Sequence, residues 1–398
     1  MALSHGLMPL STHGNRIVRT QDQRPVTLRG INRSGMEYRG ASGEQWHEPE
    51  FDQMIGEWKA NILRIPFTQD WALSREGYDS APYLASMDSA IEMAARRGGY
   101  TMLALQWLDN RKAYGYDNYG RPQFIPPLPD ANSIELWRQL ANRYCDEPAV
   151  LYDIFTEPHD IAMNEWQQWA RTLIGAIRQP NPDALIFVSG VNWGYDLRGH
   201  PIPGVDGVVY STHVYRNKGH YWDKAFGRLS GDFPVFAAEW GGSDEDVDWG
   251  RELAAYLAER NIGWTAWGWP DEPPLIGRNY EITKFGALVR SLLLGNCPYS
   301  RGPPGLGRNC QQGRYHRGRA HRCVGTPHRH AHQRGSRQLV VKGGPHCITW
   351  THADEVNAEL LSFLSENAAK TRQRESQRPE WLLLRSDTTS RKRSHRSR

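Results

Sequence analysis

The sequence of 398 residues has few of the features that assign a chain to a class from composition alone. It contains five cysteines, and Cys145 is the only one within the first 295 residues, which argues against a disulfide framework. No apolar run approaches the roughly 18 residues of a membrane span. The N-terminus also lacks the charged and then apolar segments of a signal peptide. We therefore expect a soluble chain that is cytoplasmic as written, or secreted if its N-terminus is truncated.

Two sequence motifs are missing as well. The stretch "RGINRSGMEYRG", which runs from the end of the first predicted strand into the residues after it, does not match the G-x-G-x-x-G turn of a dinucleotide-binding sheet. No G-x-S-x-G elbow occurs in the chain, so no esterase nucleophile is available and a bifunctional hydrolase-esterase is disfavoured.

Negative charge is unevenly distributed. Residues 296–398 carry 20 Lys+Arg against 7 Asp+Glu, a net charge of +13. Residues 1–295 carry 28 Lys+Arg against 37 Asp+Glu, a net charge of −9. This asymmetry predicts two parts with a boundary near residue 295.

The basic part divides into three segments. Residues 296–338 contain nine arginines, five histidines and no acid, and without apolar periodicity they are expected to form a largely disordered linker. Residues 339–365 resemble the C-terminal end of an α/β-hydrolase of the esterase or haloperoxidase type, with His346 at the position of the triad base. Residues 366–398 form a basic tail. We expect no specific nucleic-acid partner, although any cationic tail binds nucleic acid non-specifically.

Zinc binding by the linker is an alternative that the spacing of its ligands does not favour. A structural zinc site usually shows C-x₂-C pairs, and none is present. We therefore predict no metal site. The side chains that this alternative would use are Cys310, Cys323, His328, His330 and His332.

Short apolar segments alternate with helical patterns throughout the acidic part. Eight strands and intervening helices predict a (β/α)₈ TIM barrel rather than an open doubly wound sheet. The predicted strands are 26–32, 61–67, 101–107, 150–155, 184–190, 207–215, 234–240 and 262–269. The predicted helices are 80–97, 132–144, 164–178, 244–260 and 281–294.

Polar and aromatic side chains occur where these strands end. In a TIM barrel the reactive groups lie at the carboxyl ends of the strands. Glu157 and Glu239 end the fourth and seventh strands, on opposite sides of the barrel mouth, so their carboxylates can converge. The full set of strand-end candidates is Asn32, Arg64, Gln106, Trp107, Glu157, Trp193, His213, Tyr215, Glu239 and Trp267.

Two converging carboxylates near aromatic platforms suit the cleavage of a glycosidic bond. One carboxylic acid protonates the leaving oxygen, and the other carboxylate attacks the anomeric carbon. Their pKa values must differ, and the environment typically supplies this difference through a cation beside the nucleophile and a drier site for the acid. Arg64 is a candidate for that cation, and Tyr215 can donate its hydroxyl to the carboxylate on strand seven. The alternative, that each glutamate is a surface ion-pair partner, does not account for the whole set on one face.

The strand-end segments of the acidic part also resemble those of a known family. Residues from about 14 to 295 are similar to glycoside hydrolase family 5, the cellulase-like family of clan A. The matching segments, in chain order, are "LRGIN", "NILRIPF", "IFTEPHD", "STHVY", "VFAAEWGG" and "WTAWGW".

The resemblance implies roles for individual residues. Glu157 corresponds to the general acid/base and Glu239 to the nucleophile of a retaining hydrolase that needs no cofactor. Trp267 corresponds to the platform under the sugar at the cleavage point. The other residues expected to bind the substrate or support the catalytic pair are Asn32, Arg64, Trp107, Thr156, Trp193, His213 and Tyr215.

Two positions depart from the family pattern. Thr156 stands where the family usually has an asparagine that binds the sugar 2-hydroxyl, and Gln106 stands where it often has a histidine before Trp107. Because contacts to the 2-hydroxyl strengthen in the transition state, Thr156 affects the expected sugar preference more than the two-carboxylate mechanism.

The functional expectation is therefore a cellulase-like enzyme of the (β/α)₈ class. It would cleave a β-linked glucan or related polysaccharide by double displacement. The alternative is a carbohydrate-binding barrel that has lost turnover through Thr156 and Gln106. The expected partner is an oligo- or polysaccharide, with no membrane contact, and the chain is expected to be a monomer.

Overall fold

The computed structural model describes residues 5–38, 42–74, 79–108, 125–277 and 280–295. The predicted linker, the α/β-hydrolase-like segment and the basic tail lie outside the described residues. So do the zinc-ligand candidates and His346, and what was predicted for these parts stays a prediction.

The described chain begins with a short antiparallel hairpin of strands β1 (Leu10–His13) and β2 (Arg16–Arg19). The next eight strands are parallel and close into a barrel. Each barrel strand pairs with the next one along the chain, and the last pairs with the first. The predicted TIM barrel is confirmed, and each predicted strand overlaps one barrel strand. The barrel strands are β3 (Arg29–Arg33), β4 (Ile62–Thr68), β5 (Tyr100–Trp107), β6 (Val150–Asp153), β7 (Ile186–Ser189), β8 (Val208–Val214), β9 (Val235–Trp240) and β10 (Gly263–Trp269).

Helices follow most of the strands. The five predicted helices correspond to α3 to α7, while α1 and α2 are single turns that the sequence reading did not identify. The helices are α1 (Glu48–Phe51), α2 (Gln69–Ala72), α3 (Ala81–Ala95), α4 (Ala131–Arg143), α5 (Met163–Arg178), α6 (Val247–Glu259) and α7 (Lys284–Leu293). None of the helices in the described part of the chain is long and apolar enough to cross a membrane.

No helix connects β7 to β8, whose connection is described in full. Residues 190–207 read "GVNWGYDLRGHPIPGVDG", with five glycines and two prolines. Glycine and proline both disfavour helix interiors, so this stretch crosses the barrel end as a series of turns. This glycine-rich connection reaches the carboxyl end of the barrel, where it contacts the residues after β6.

The interior of the barrel has an apolar lower layer and a polar upper layer. Side chains alternate along a strand, so Ile62 and Arg64 on β4 face the same way, as do Leu151 and Asp153 on β6. The lower residues form one buried apolar cluster that the hairpin residues Leu10 and Ile17 also join. Two residues further along β4 and β6, Arg64 and Asp153 are charged and fully buried. The barrel therefore supports a buried polar layer on an apolar floor.

A buried histidine makes the stability of this fold sensitive to acid. His200 lies in the β7–β8 connection, and its ring packs 4.5 Å from that of Tyr210. Burial lowers the pKa of His200 to about 4. The folded chain therefore holds the neutral ring at pH values where the unfolded chain, with a pKa near 6.5, is already protonated. The resulting stability is complete above about pH 6.5 and is lost as pH falls to about 4.

We expect His200→Phe to reduce this acid sensitivity, because the phenyl ring fills the same space and takes up no proton. Between pH 7.5 and pH 4.5 the free energy of unfolding of the wild type should fall by about 2–3 kcal/mol more than that of the variant. Urea unfolding at the two pH values measures this difference. His13→Phe, at an exposed position, is the matched control. Equal pH dependence in the wild type and His200→Phe would contradict the assignment.

Candidate active site

The predicted site residues gather at the carboxyl end of the barrel. Each lies at a strand end or just beyond it, all eight strands contribute, and all ten residues are buried. They are Asn32 on β3, Arg64 on β4, Trp107 on β5, Thr156 and Glu157 after β6, Trp193 after β7, His213 and Tyr215 at the end of β8, Glu239 on β9 and Trp267 on β10.

Arg64 connects three strands from the inside of the barrel. Its Nε donates to Asp153 Oδ2 at 2.8 Å, and its Nη1 donates to Asn32 Oδ1 and to Glu239 Oε1, each at 2.8 Å. Asn32 in turn donates to the carbonyl oxygens of Ala238 and Thr265. The side chain of Glu239 is therefore held through partners on strands far from it in sequence.

The surroundings of Arg64 favour its protonated form. Burial acts to lower the pKa of Arg64, but the carboxylates of Asp153 and Glu239 outweigh burial and raise it. The protonated guanidinium places a positive charge within hydrogen-bonding distance of both carboxylates. Arg64 is thus the cation that the sequence reading expected next to Glu239.

Asp153 was not among the predicted site residues. It is fully buried on β6, and it ion-pairs with Arg64 at 2.8 Å. The available signal was an acid inside the apolar segment "VLYDIF". A charge within a buried strand requires a partner, which identifies such a position as a member of an internal network.

His213 lies between the two glutamates. Its Nδ1 is 3.0 Å from Glu157 Oε1 and 3.6 Å from Glu239 Oε2. Tyr215 donates its hydroxyl to Glu239 Oε2 at 3.1 Å, as the sequence reading expected. One oxygen of each glutamate and a nitrogen of His213 all lie within 4.8 Å of one another. The two carboxylates therefore converge on one small volume.

A β-bulge turns Glu239 into the barrel. On the β8 side, Thr212 pairs with Ala237, and the next pair is His213 with Glu239, so Ala238 has no partner of its own. The β10 side shows the same extra residue between Ala237 and Trp240. Because Phe236 and Ala238 already belong to the barrel-interior cluster, regular alternation would direct Glu239 outward. The bulge gives it an inward position instead.

The tryptophans differ in their surroundings. The Trp193 ring stacks on the His159 imidazole, with centroids 3.6 Å apart and planes 7° apart, so one of its faces is covered by protein. Trp267 donates its indole N–H to the Glu272 carbonyl at 3.0 Å.

Gln106 reaches the same barrel end, and its Oε1 is buried without a hydrogen-bond partner in the described part of the chain. His159 was not predicted, and its position after Glu157-Pro158 was the available signal.

Metal binding and glycosidic chemistry would use the same atoms here. Within the described residues, Glu157, His213 and Glu239 form the group whose oxygen and nitrogen atoms are close enough to ligate one ion. Arg64 already donates to Glu239, and a cation beside a carboxylate opposes the binding of a second cation. Two carboxylates with distinct hydrogen-bond partners are the arrangement that cleaves glycosidic bonds without a metal.

The sequence and the fold were both compared with known proteins. The family described as "Cellulase (glycosyl hydrolase family 5)" matches residues 20–273. The endoglucanase MaCel5A of Microbulbifer sp. (strain ALW1) is 27% identical over 292 residues, which are 66% of this chain and 52% of that protein. Endoglucanase E-5 of Thermobifida fusca is 25% identical over 273 residues, 62% of this chain and 53% of that protein. The chain thus spans about half the length of these relatives.

Solved structures share the fold. The β-glucanase SdGluc5_26A from Saccharophagus degradans superposes with a TM-score of 0.63 at 23% identity, covering 74% of this chain and 95% of that one. A second structure of the same β-glucanase is a complex with cellotetraose, also with a TM-score of 0.63, at 22% identity, with coverage of 74% and 95%. Because the family match covers more than half of the chain, this protein belongs to the cellulase family, glycosyl hydrolase family 5.

Proposed function

We propose that this protein is a retaining glycoside hydrolase that cleaves a β-linked glucan, with Glu239 as nucleophile and Glu157 as general acid/base. The observation that carries the proposal is the approach of the two carboxylates to within 4.8 Å of each other from opposite strands. Retaining enzymes place their carboxyl groups about 5–5.5 Å apart, whereas inverting enzymes need about 6.5–9.5 Å to admit a water.

The contacts of Glu239 fit the nucleophile. Arg64 donates to one of its oxygens and Tyr215 to the other. Both contacts hold the plane of the carboxyl group, so that one oxygen can attack the anomeric carbon. The attack forms a covalent bond between Glu239 and the sugar, while the bond to the leaving oxygen breaks.

Glu157 fits the acid/base. In the first step it gives its proton to the glycosidic oxygen, so the departing sugar leaves as a neutral alcohol. In the second step the ionised Glu157 takes a proton from water, the resulting hydroxyl attacks the anomeric carbon, and the bond to Glu239 breaks. His213, 3.0 Å from Glu157 Oε1, lies where it can hold the carboxyl between these steps.

Several observations support a β-glucan as the substrate. The relatives that match the sequence are endoglucanases, and a fold relative binds cellotetraose. Trp107 and Trp267 lie at the barrel mouth among the catalytic residues, and aromatic rings of this kind bind the apolar faces of sugars. Cello-oligosaccharides and their aryl glycosides are therefore the first substrates to test.

We expect alanine substitutions at the two glutamates to have different effects. Glu239→Ala should lower kcat/KM by at least about 10³-fold on every aryl β-cellobioside, because the covalent step is lost. Glu157→Ala should lower kcat/KM about 10²–10⁴-fold on phenyl β-cellobioside. Its effect on 2,4-dinitrophenyl β-cellobioside should be much smaller, because that leaving group departs without a proton.

Steady-state kinetics of both variants on both substrates measures this difference. An equal loss for Glu157→Ala on the two substrates would contradict its role as the acid. If the wild type binds cello-oligosaccharide and turns over neither substrate, the non-catalytic barrel is the correct interpretation.

The stereochemistry of the first product tests the carboxylate separation directly. The short distance between Glu157 and Glu239 predicts that hydrolysis of a β-linked oligosaccharide first releases the β-anomer. ¹H NMR of the anomeric protons, recorded before mutarotation, distinguishes the two anomers. Initial formation of the α-anomer would show inversion and would contradict double displacement.

Thr156 is expected to contact the sugar next to the reacting bond. It directly precedes Glu157 and is buried beside it. Thr156→Val keeps the shape and removes the hydroxyl, so we expect kcat/KM on a cellobioside to fall about tenfold. A 2-deoxy substrate lacks the matching group, and the variant should be nearly neutral on it. A similar loss on both substrates would contradict this contact.

A further inference from the structure

A strained turn lies beside the acid/base residue. Asn192, Trp193 and Gly194 have consecutive φ values of +58°, +60° and +72°. A tryptophan in the left-handed region is unfavourable, and such residues persist only where the surroundings hold them. Neighbouring residues must therefore hold this turn, residues 192–194, in its strained conformation.

The turn is held against the segment that contains Glu157. The Trp193 N–H donates to the Pro158 carbonyl at 3.0 Å, and its ring covers His159. The Nδ1 atom of His159 lies 2.8 Å from the Glu157 carbonyl oxygen. The turn thus fixes the backbone on the C-terminal side of the acid/base residue.

The same turn also supports the partner of the Glu157 side chain. The Gly194 carbonyl accepts a hydrogen bond from the His213 N–H at 3.2 Å. A Cβ on Gly194 would lie 2.8 Å from the His213 ring and 3.0 Å from the Thr156 carbonyl oxygen, so only glycine allows this approach. A shift of residues 192–194 would move His213 together with the carboxyl of Glu157.

Lys218 holds the opposite side of the turn. It ends the short 3₁₀ turn Arg216–Lys218 after β8, and its Nζ donates to Asn192 O at 3.2 Å and approaches Asn192 Oδ1 at 3.4 Å. Burial lowers the pKa of Lys218, whereas the charge of Glu157 acts to raise it. The ammonium is therefore close enough to the acid/base residue for their charges to interact.

We propose that Lys218 is a positioning residue for leaving-group departure, which acts by holding the Asn192–Gly194 turn against the segment that carries Glu157. It touches no reacting atom. The inference rests on the proposed role of Glu157 as the acid. It predicts a defect confined to the step in which Glu157 protonates the leaving oxygen.

Several ionisable groups surround Glu157, and the interpretation of a pH profile must include all of them. His159 and His213 also contact the strained turn, through Trp193 and Gly194, while the Lys218 ammonium contacts it at Asn192. The groups that face Glu157 or its partners are His159 on its own segment, His213 and Tyr215 at the end of β8, Lys218 beyond β8, Glu239 on β9 and Arg64 on β4.

Leaving-group dependence separates this role from a structural one. We expect Lys218→Met to lower kcat/KM about tenfold on phenyl β-cellobioside and less than about twofold on 2,4-dinitrophenyl β-cellobioside. The alkaline limb of the phenyl-substrate pH profile should move to higher pH, because loss of a cation favours the protonated acid. Lys218→Arg keeps the charge and the donors and should recover most of the activity. Lys224 is an exposed lysine in the same β8–β9 connection, and Lys224→Met should leave kcat/KM on both substrates unchanged.

The full chain is used throughout, and thermal unfolding of each variant confirms that it is folded. An equal loss for Lys218→Met on both substrates, or no loss on either, would overturn the proposal. Glu157→Ala measured in parallel tests the proposed function itself. If Glu157→Ala shows leaving-group dependence and Lys218→Met does not, only the role of Lys218 fails; if Glu157→Ala lacks it, the assignment of the acid fails.

Discussion

The ion pairs of Arg64 inside the barrel are the interaction on which the site depends. One buried guanidinium contacts Asp153, Asn32 and Glu239, which come from three other strands. Removing it would leave two carboxylates buried without a counter-charge, at a cost of about 3–5 kcal/mol. The same contacts place a positive charge beside Glu239 and fix the position of its carboxyl group, so the interaction that stabilises the polar layer of the barrel also orients the proposed nucleophile.

This polar layer can exist because the barrel below it is apolar and closed. Strand residues such as Ile62, Leu151 and Phe187 fill the lower interior, and they exclude water from beneath Arg64. In a water-poor environment each charge interacts more strongly with its neighbours, which favours fully paired networks. Glu157, the proposed acid/base residue, is supported differently, because it lies beyond the end of β6 and is held by a turn of the β7–β8 connection. Residues on the barrel strands therefore hold Glu239, whereas the turn of residues 192–194 holds the segment that contains Glu157.

Much of the fold was predictable from local patterns. Barrel strands are buried on both faces, so they read as short apolar runs, and each of the eight predictions overlapped an observed strand. The hairpin of β1 and β2 was missed because its segments "LSTH" and "RIVR" are too short and too polar to stand out. The stack of His159 on Trp193 was also missed, since it depends on a left-handed tryptophan that no local propensity predicts.

Local periodicity and short segments were enough to predict the order of strands and helices, the two glutamates at strand ends and the family resemblance. How the two glutamates face each other depends instead on contacts between strands. Alternation along β9 alone would point Glu239 away from the barrel interior, and the bulge at Ala238 reverses that direction. A bulge is a mismatch between two strands, so it becomes defined only when β8 and β9 pair. Likewise, the contact of Arg64 with Glu239 joins residues 175 positions apart, and it exists only once the barrel has closed.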